Sequence, residues 1–209
     1  FDNIKIELAA IFFIILGSIP FIAYIKFMSG NKKIFLSDSQ IKTFIKLIIL
    51  SIVILFCYLL IKDNNFSLSN IRSVSFNVIS ILTGTGYVTQ GFDKWGSFPL
   101  FYFLILMFIG GCAGSTTCGV KIFRIQILYK FIINQLKKVI YPRGIFIIKY
   151  ENNTVNDKFL ASIISFIYLY IIIFFILTAL LSLTGLDFVT SISGAATSIS
   201  NVGPGLGSA

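Results

Sequence analysis

Histidine is absent from this 209-residue sequence. That removes the commonest general base, the usual haem ligand and the side chain that titrates nearest neutral pH. Cysteine is scarce: Cys57, Cys112 and Cys118 have no even pairing and, without histidine, no metal-ligand spacing. Neither a disulfide nor a zinc site is expected, and all three read as small, buried packing residues. Acidic residues number only eight, namely Asp2, Glu7, Asp38, Asp63, Asp93, Glu151, Asp157 and Asp187. All of them fall at the ends of apolar runs or in loops, which leaves no proton relay in mid-span. Ser115, Thr116 and Ser200 have no base or acid at helical spacing, so nothing marks a nucleophilic enzyme.

What the chain has is apolar surface. Hydrophobic residues make up 56% of it and charged residues only 12%, with 23 phenylalanines, a composition that places it in a lipid solvent. Apolar runs at 8–27, 44–61, 98–109 and 159–183 suggest about four spans, since crossing the bilayer takes about 20 residues. The first run follows Asp2, Lys5 and Glu7 and has no small-residue cleavage site after it, so it is not expected to be a signal peptide. The net charge of +9 comes from 17 Lys and Arg grouped beside these runs. Lys26, Lys32, Lys33, Lys42 and Lys46 surround one loop, and Lys121, Arg124, Lys130, Lys137, Lys138, Arg143 and Lys149 fill another. The positive-inside rule puts both on the cytoplasmic side, and the clustering argues against nucleic acid as a partner.

Sliding the chain against itself by 117 positions lays Gly86 on Gly203, Leu82 on Ile199, Thr83 on Ser200 and Asn70 on Asp187. Each copy has an apolar helix (44–61, then 159–183), a segment too short to cross (68–82, then 186–199) and a glycine-rich turn. N-caps are expected at Ser69 or Asn70 in the first short helix and at Thr184 or Asp187 in the second. A short helix entering from outside points its partially negative C-terminal end at the membrane middle, which favours a cation there by about 0.3–1 kcal/mol. Polar main chain at that depth survives only inside protein or along a watery cavity. The turns Thr83, Gly84, Thr85, Gly86 and Ser200, Asn201, Val202, Gly203 are therefore candidates to line an ion pathway through their carbonyls.

Residues 90–97 carry the only tryptophan, Trp95, and suit the outer interface. The apolar run 98–109 is then interrupted, about 18 Å into the membrane at 1.5 Å per residue. The interruption reads Gly110, Gly111, Cys112, Ala113, Gly114, Ser115, Thr116, Thr117, Cys118, Gly119, and four glycines in that stretch argue against regular helix. Close helix packing through small residues is one explanation. A loop that constricts the pathway below the turns explains the added hydroxyls as well. Lys121 and Arg124 would stand at its cytoplasmic end. The first run contains Gly17, Ser18 and Pro20 and should kink there.

The runs 82–87 (Leu-Thr-Gly-Thr-Gly-Tyr), 107–116 followed by Gly119, Val120, Lys121 and Arg124, and 200–207 (Ser-Asn-Val-Gly-Pro-Gly-Leu-Gly) resemble the bacterial Trk and Ktr potassium-uptake membrane subunits. The likeness spans nearly the whole chain, and the middle motif is its most specific part. It implies an all-α polytopic membrane protein in which units of helix, re-entrant pore helix and helix surround a central, potassium-channel-like pore. Residues 1–37 would be the closing helix of a preceding repeat with a cytoplasmic loop. Residues 38–130 would be a complete repeat, 131–158 a cytoplasmic connector, and 159–209 the next repeat up to its filter, truncated before its closing helix. Gly86 and Gly203 would be filter glycines, with potassium held by carbonyls of residues 83–86 and 200–203. Gly110, Gly111, Ala113, Gly114, Ser115, Thr116 and Gly119 would form the gate loop.

The resemblance further implies potassium uptake at a bacterial inner membrane, no cofactor, a homodimer of the full-length subunit, and a cytoplasmic ring of nucleotide-binding regulatory subunits. Nucleotide would bind that partner, because no glycine-rich phosphate loop in this chain follows a strand. The competing reading is a sodium- or proton-coupled secondary transporter whose broken helices make a midplane site.

Overall fold

The computed structural model describes residues 3–63, 67–89, 91–151 and 153–206; Asp2, residue 90 at the start of the 90–97 stretch, and Gly207 lie outside them. Asn3 opens α1 (Ile4–Gly17) by accepting from the Lys5 amide. Ser18 then ends it, its hydroxyl bonding back to the Ile14 carbonyl, and Pro20 cannot donate the next helical bond. The expected kink is a full break: α2 (Phe21–Met28) departs at 87° from α1.

A single turn, α3 (Ile34–Ser37), leads to Asp38, whose carboxylate accepts from the Gln40 and Ile41 amides at the start of α4 (Ser39–Asp63). The short helix α5 (Leu68–Leu82) follows. Its cap is Ser67, accepting from the Ser69 amide, rather than Ser69 or Asn70. The helix begins earlier than expected because the Ser67 side chain, one residue ahead of it, satisfies an amide of its first turn. The second short helix, α9 (Phe188–Ser200), is capped by Asp187, one of the two residues expected.

Between them come a 3-10 turn (Phe92–Trp95), α6 (Ser97–Phe108), the glycine-rich loop, α7 (Ile122–Ile140), a two-residue hairpin of β1 (Lys149–Tyr150) and β2 (Asn153–Thr154), and α8 (Asp157–Leu183). Helix α7 runs straight through position 130, where the sequence suggested a boundary, so the connector begins as helix. Its polar anchor is Gln126, which donates to the Ser39 carbonyl (3.1 Å) and the Thr43 hydroxyl (2.6 Å) and accepts from the Tyr150 hydroxyl (3.0 Å). Burial pushes the Tyr150 phenol up, with Glu151 adding to the shift, so it stays a proton donor at neutral pH.

Among the described residues two helices are long and apolar enough to cross a membrane, α4 over Ser39–Lys62 and α8 over Asp157–Leu183, and a third if the bent pair α1–α2 is one span. Four spans were expected. The missing one is α6, which stops after 12 residues where Gly110 and Gly111 begin the loop. Helix α5 lies at the centre of the bundle, packed by α1, α4 and α6, with Val74, Phe76, Val78, Ile81 and Leu82 fully buried. Helix α8 turns Tyr168, Leu169, Ile171 and Phe175 outward, as a lipid-facing span does. The cysteines correct the sequence reading: Cys112 is buried, but Cys57 and Cys118 are exposed.

Candidate functional site: paired re-entrant ends above a clasped loop

Helices α5 and α9 end on backbones that turn left-handed at corresponding positions, closed by hydrogen bonds that match in part. At the end of α5 the Gly84 amide donates to the Ile81 carbonyl (3.1 Å) and the Thr85 amide to the Ser80 carbonyl (2.9 Å). This is the Schellman closure, which needs a left-handed residue after the cap. Gly84 supplies it at φ +69°. At the end of α9 the Val202 amide donates to the Thr197 carbonyl (3.1 Å) and the left-handed residue is Asn201, at φ +52°. Gly84 and Asn201 are 117 positions apart, as are Ser80 and Thr197, and Thr85 and Val202. Asparagine is among the few side chains that tolerate this backbone.

One step later both strands turn positive again, at Gly86 (φ +80°) and Gly203 (φ +109°). The Gly86 amide donates to the Ser80 carbonyl at 3.4 Å, whereas the Gly203 amide takes the Thr197 hydroxyl at 2.6 Å. Amides are thus spent on the parent helix. Among the described residues no hydrogen bond ends on a main-chain carbonyl of residues 83–86 or 200–203. Side chains also turn away from these carbonyls: the Thr83 hydroxyl returns to the Ile79 carbonyl (2.8 Å), Ser200 meets the Tyr170 hydroxyl (2.6 Å), and Val202 is buried.

The two strands meet each other. A Cβ on Gly86 would stand 2.0 Å from the Val202 carbonyl oxygen, and one on Gly203 would stand 3.7 Å from the Gly86 Cα. At Gly84 it would face the Asn201 and Ser200 carbonyls (3.5 and 3.7 Å) and the Cys118 amide (3.9 Å). The glycine-rich loop therefore reaches the pair of turns. Asn201 Nδ2 lies 3.8 Å from Cys118 Sγ.

That loop, residues 110–119, is closed at its base like a clasp. Ile109 and Val120 form a parallel bridge, with Gly110 donating to the Val120 carbonyl (2.8 Å) and Val120 to the Phe108 carbonyl (2.9 Å). Gly110 is required there, because a Cβ would sit 1.9 Å from the Cys118 carbonyl oxygen. The loop is tied to the α1–α2 break: Cys112 donates to the Ser18 carbonyl (3.2 Å), Thr116 to Gly17 through amide (3.2 Å) and hydroxyl (3.0 Å), and Phe21 to Gly114 (2.9 Å). Gln40 accepts from the Ala113 amide (2.9 Å).

The hydroxyls of Ser115 and Thr117 serve the loop itself. Ser115 donates to the Cys112 carbonyl (2.6 Å) and meets Thr117 (2.9 Å), which accepts from the Gly111 amide (2.9 Å). Lys121 folds back onto the loop, donating to the Thr117 carbonyl and hydroxyl and reaching the Ser115 carbonyl. Arg124 stacks over Phe166 of α8 at 4.0 Å and over Phe123 at 5.1 Å, so its charge is held sideways against an aromatic face.

Some contributors escaped the sequence reading. Thr197 and Ser193 hold the second strand, Ser193 accepting from the Leu206 amide (2.9 Å) and donating to its carbonyl (3.0 Å); the run of Ser and Thr along α9 was the available signal. Glu7 lies at the end of a span, as expected, yet it is buried and pairs with Arg72 of α5 at 2.7 Å. Nothing in the spacing of residues 7 and 72 announces that contact.

Two short helices that stop inside the membrane, their C-terminal ends converging on abutting glycine turns above a broken span, define a helical membrane protein of the re-entrant, channel-like class. The chain belongs to the TrkH cation transport protein family, whose pattern it matches over residues 1–209. It is 36% identical to the Trk system potassium uptake protein TrkI of Halomonas elongata over 195 residues, 93% of this chain and 39% of that protein. To the Trk system potassium uptake protein TrkH of Escherichia coli K12 it is 29% identical over 214 residues, covering 99% of this chain and 43% of that one. The crystal structure of the potassium transporter TrkH from Vibrio parahaemolyticus superposes with a TM-score of 0.92 at 30% identity, over all of this chain and 45% of that one. The chain thus spans about two fifths of the length of its curated relatives.

Proposed function

We propose that this chain contributes two walls of a potassium-selective uptake pathway. The main-chain carbonyls of residues 83–86 and 200–203 take the place of the ion's water shell, and residues 110–119 form the gate below them. The observation that carries the reading is the matched pair of helix ends. In both, amides are consumed by the helix and carbonyls are left uncommitted, with left-handed residues at 84 and 201 and at 86 and 203. The names of the relatives, potassium uptake proteins, support potassium as the cargo. In this reading Lys121 closes the loop from below and Arg124 borders the cytoplasmic exit. The protein works in a bacterial inner membrane without a cofactor, as a homodimer of full-length subunits. The basic end of α7, with Lys130, Lys137 and Lys138, faces a nucleotide-binding cytoplasmic ring.

The test is rubidium uptake and potassium-limited growth in a strain without its own importers. It compares the chain alone with a chimera in which the chain replaces the matching segment of the Vibrio parahaemolyticus relative. Uptake by the chimera that is abolished by Gly86→Asp is the expected result. A well-expressed chimera without uptake would point to another solute.

A further inference from the structure

The pathway reading makes no use of the ion pair between α1 and α5. Arg72 Nε lies 2.7 Å from Glu7 Oε2, with the Glu7 side chain 3% exposed and that of Arg72 29%. Neither atom forms a hydrogen bond among the described residues, so the contact is an ion pair held by charge alone. Helix α5 packs on α1, α4 and α6 with buried apolar side chains such as Val74, Val78 and Ile81; Ser73 and Ser75 bond back into α5 itself, and Asn77 accepts from the Thr89 amide (3.2 Å). Apolar packing resists separation, but it restrains sliding along the helix axis less strictly than the attraction between two opposite charges in contact away from water.

The axial position of α5 matters, because its C-terminal end delivers residues 83–86. Arg72 stands about 15 Å from that end at 1.5 Å per residue. At the strand itself the tolerance is small, since a Cβ on Gly86 would already lie 2.0 Å from the Val202 carbonyl oxygen. The other partner is fixed as well. At its far end α1 accepts the amides of Cys112 and Thr116 through the carbonyls of Ser18 and Gly17.

We propose that Glu7 and Arg72 are positioning residues that set how deeply α5 reaches into the membrane, and through it the carbonyl spacing that separates potassium from sodium. The inference rests on the pathway reading above. Helix α1 then acts as a common reference for the upper strand and the clasped loop beneath it.

The experiment uses the Vibrio parahaemolyticus chimera, unsubstituted and as Glu7→Gln, Arg72→Gln, Arg72→Lys and the exchange Glu7→Arg with Arg72→Glu. Two quantities are read on each: sodium competition against rubidium uptake, and the rise in melting temperature of purified protein in potassium chloride compared with sodium chloride. Each neutral variant is expected to lose about tenfold in potassium preference, because one partner of a buried pair is left uncompensated. Arg72→Lys should fall between, and the exchange should recover most of the preference. Lower uptake with an unchanged ion preference would reduce the pair to a structural brace and overturn the proposal. If the neutral variants do not accumulate, Arg72→Lys and the exchange decide it by the same ratio. An unsubstituted chimera with no potassium preference in either readout would defeat the pathway reading itself, and this inference with it.

Discussion

At Gly86 two constraints coincide, a backbone at φ +80° and a carbonyl oxygen where a Cβ would go. Asn201 carries only the first, with its side chain directed toward Cys118. The two positions should therefore respond differently. Gly86→Ala is expected to cut rubidium uptake at least tenfold, since either the dihedral or the facing Val202 strand must shift. Asn201→Gly should be tolerated, and Asn201→Val should destabilise by about 1–2 kcal/mol through the left-handed backbone it cannot comfortably adopt. Uptake and the melting temperature of the purified chimera separate these outcomes.

At the level of single elements, the two short helices reach one geometry by different chemistry. Ser80 serves the first turn through its main-chain carbonyl, and its own buried hydroxyl has no partner among the described residues. Thr197 serves the second turn through its hydroxyl as well. Thr197→Val should leave the Gly203 amide unsatisfied and cost about 1–3 kcal/mol, whereas Ser80→Ala should be neutral or slightly stabilising. Equal melting-temperature losses at the two sites would contradict this. The sequence revealed the repeat, the short helices, the broken span and the glycines, because each leaves a local mark in periodicity or composition. It misplaced the first cap, since Ser67, Ser69 and Asn70 are all competent caps and local sequence does not choose among them. It read the hydroxyls of Ser115, Thr116 and Thr117 as marks of a loop, but their individual bonds depend on a backbone path that composition does not disclose. Glu7 and Arg72 were beyond its reach, since their contact depends on how two distant helices cross.

For the molecule as a whole, the loop at 110–119 is held from two sides, by the α1–α2 break through Gly17, Ser18 and Phe21 and by the α4 entrance through Gln40. The α4 entrance is also where Gln126 and Tyr150 attach the β1–β2 hairpin. Releasing one anchor should loosen the clasp without unfolding the bundle. Gln40→Ala is expected to raise maleimide labelling of the buried Cys112 several-fold while exposed Cys118 labels as before; unchanged labelling of Cys112 would show that the α1–α2 break suffices to hold the loop. The pairing of Gly84 with Asn201 has a consequence of another kind. In the proposed pathway the two strands are walls that belong to one gene and differ in sequence, so a heritable change at either alters one wall alone, whereas a ring of identical subunits would suffer it at every wall together. Descendants of such a protein can adjust their taste for ions in small, survivable increments, and two lineages can reach the same preference by altering different walls.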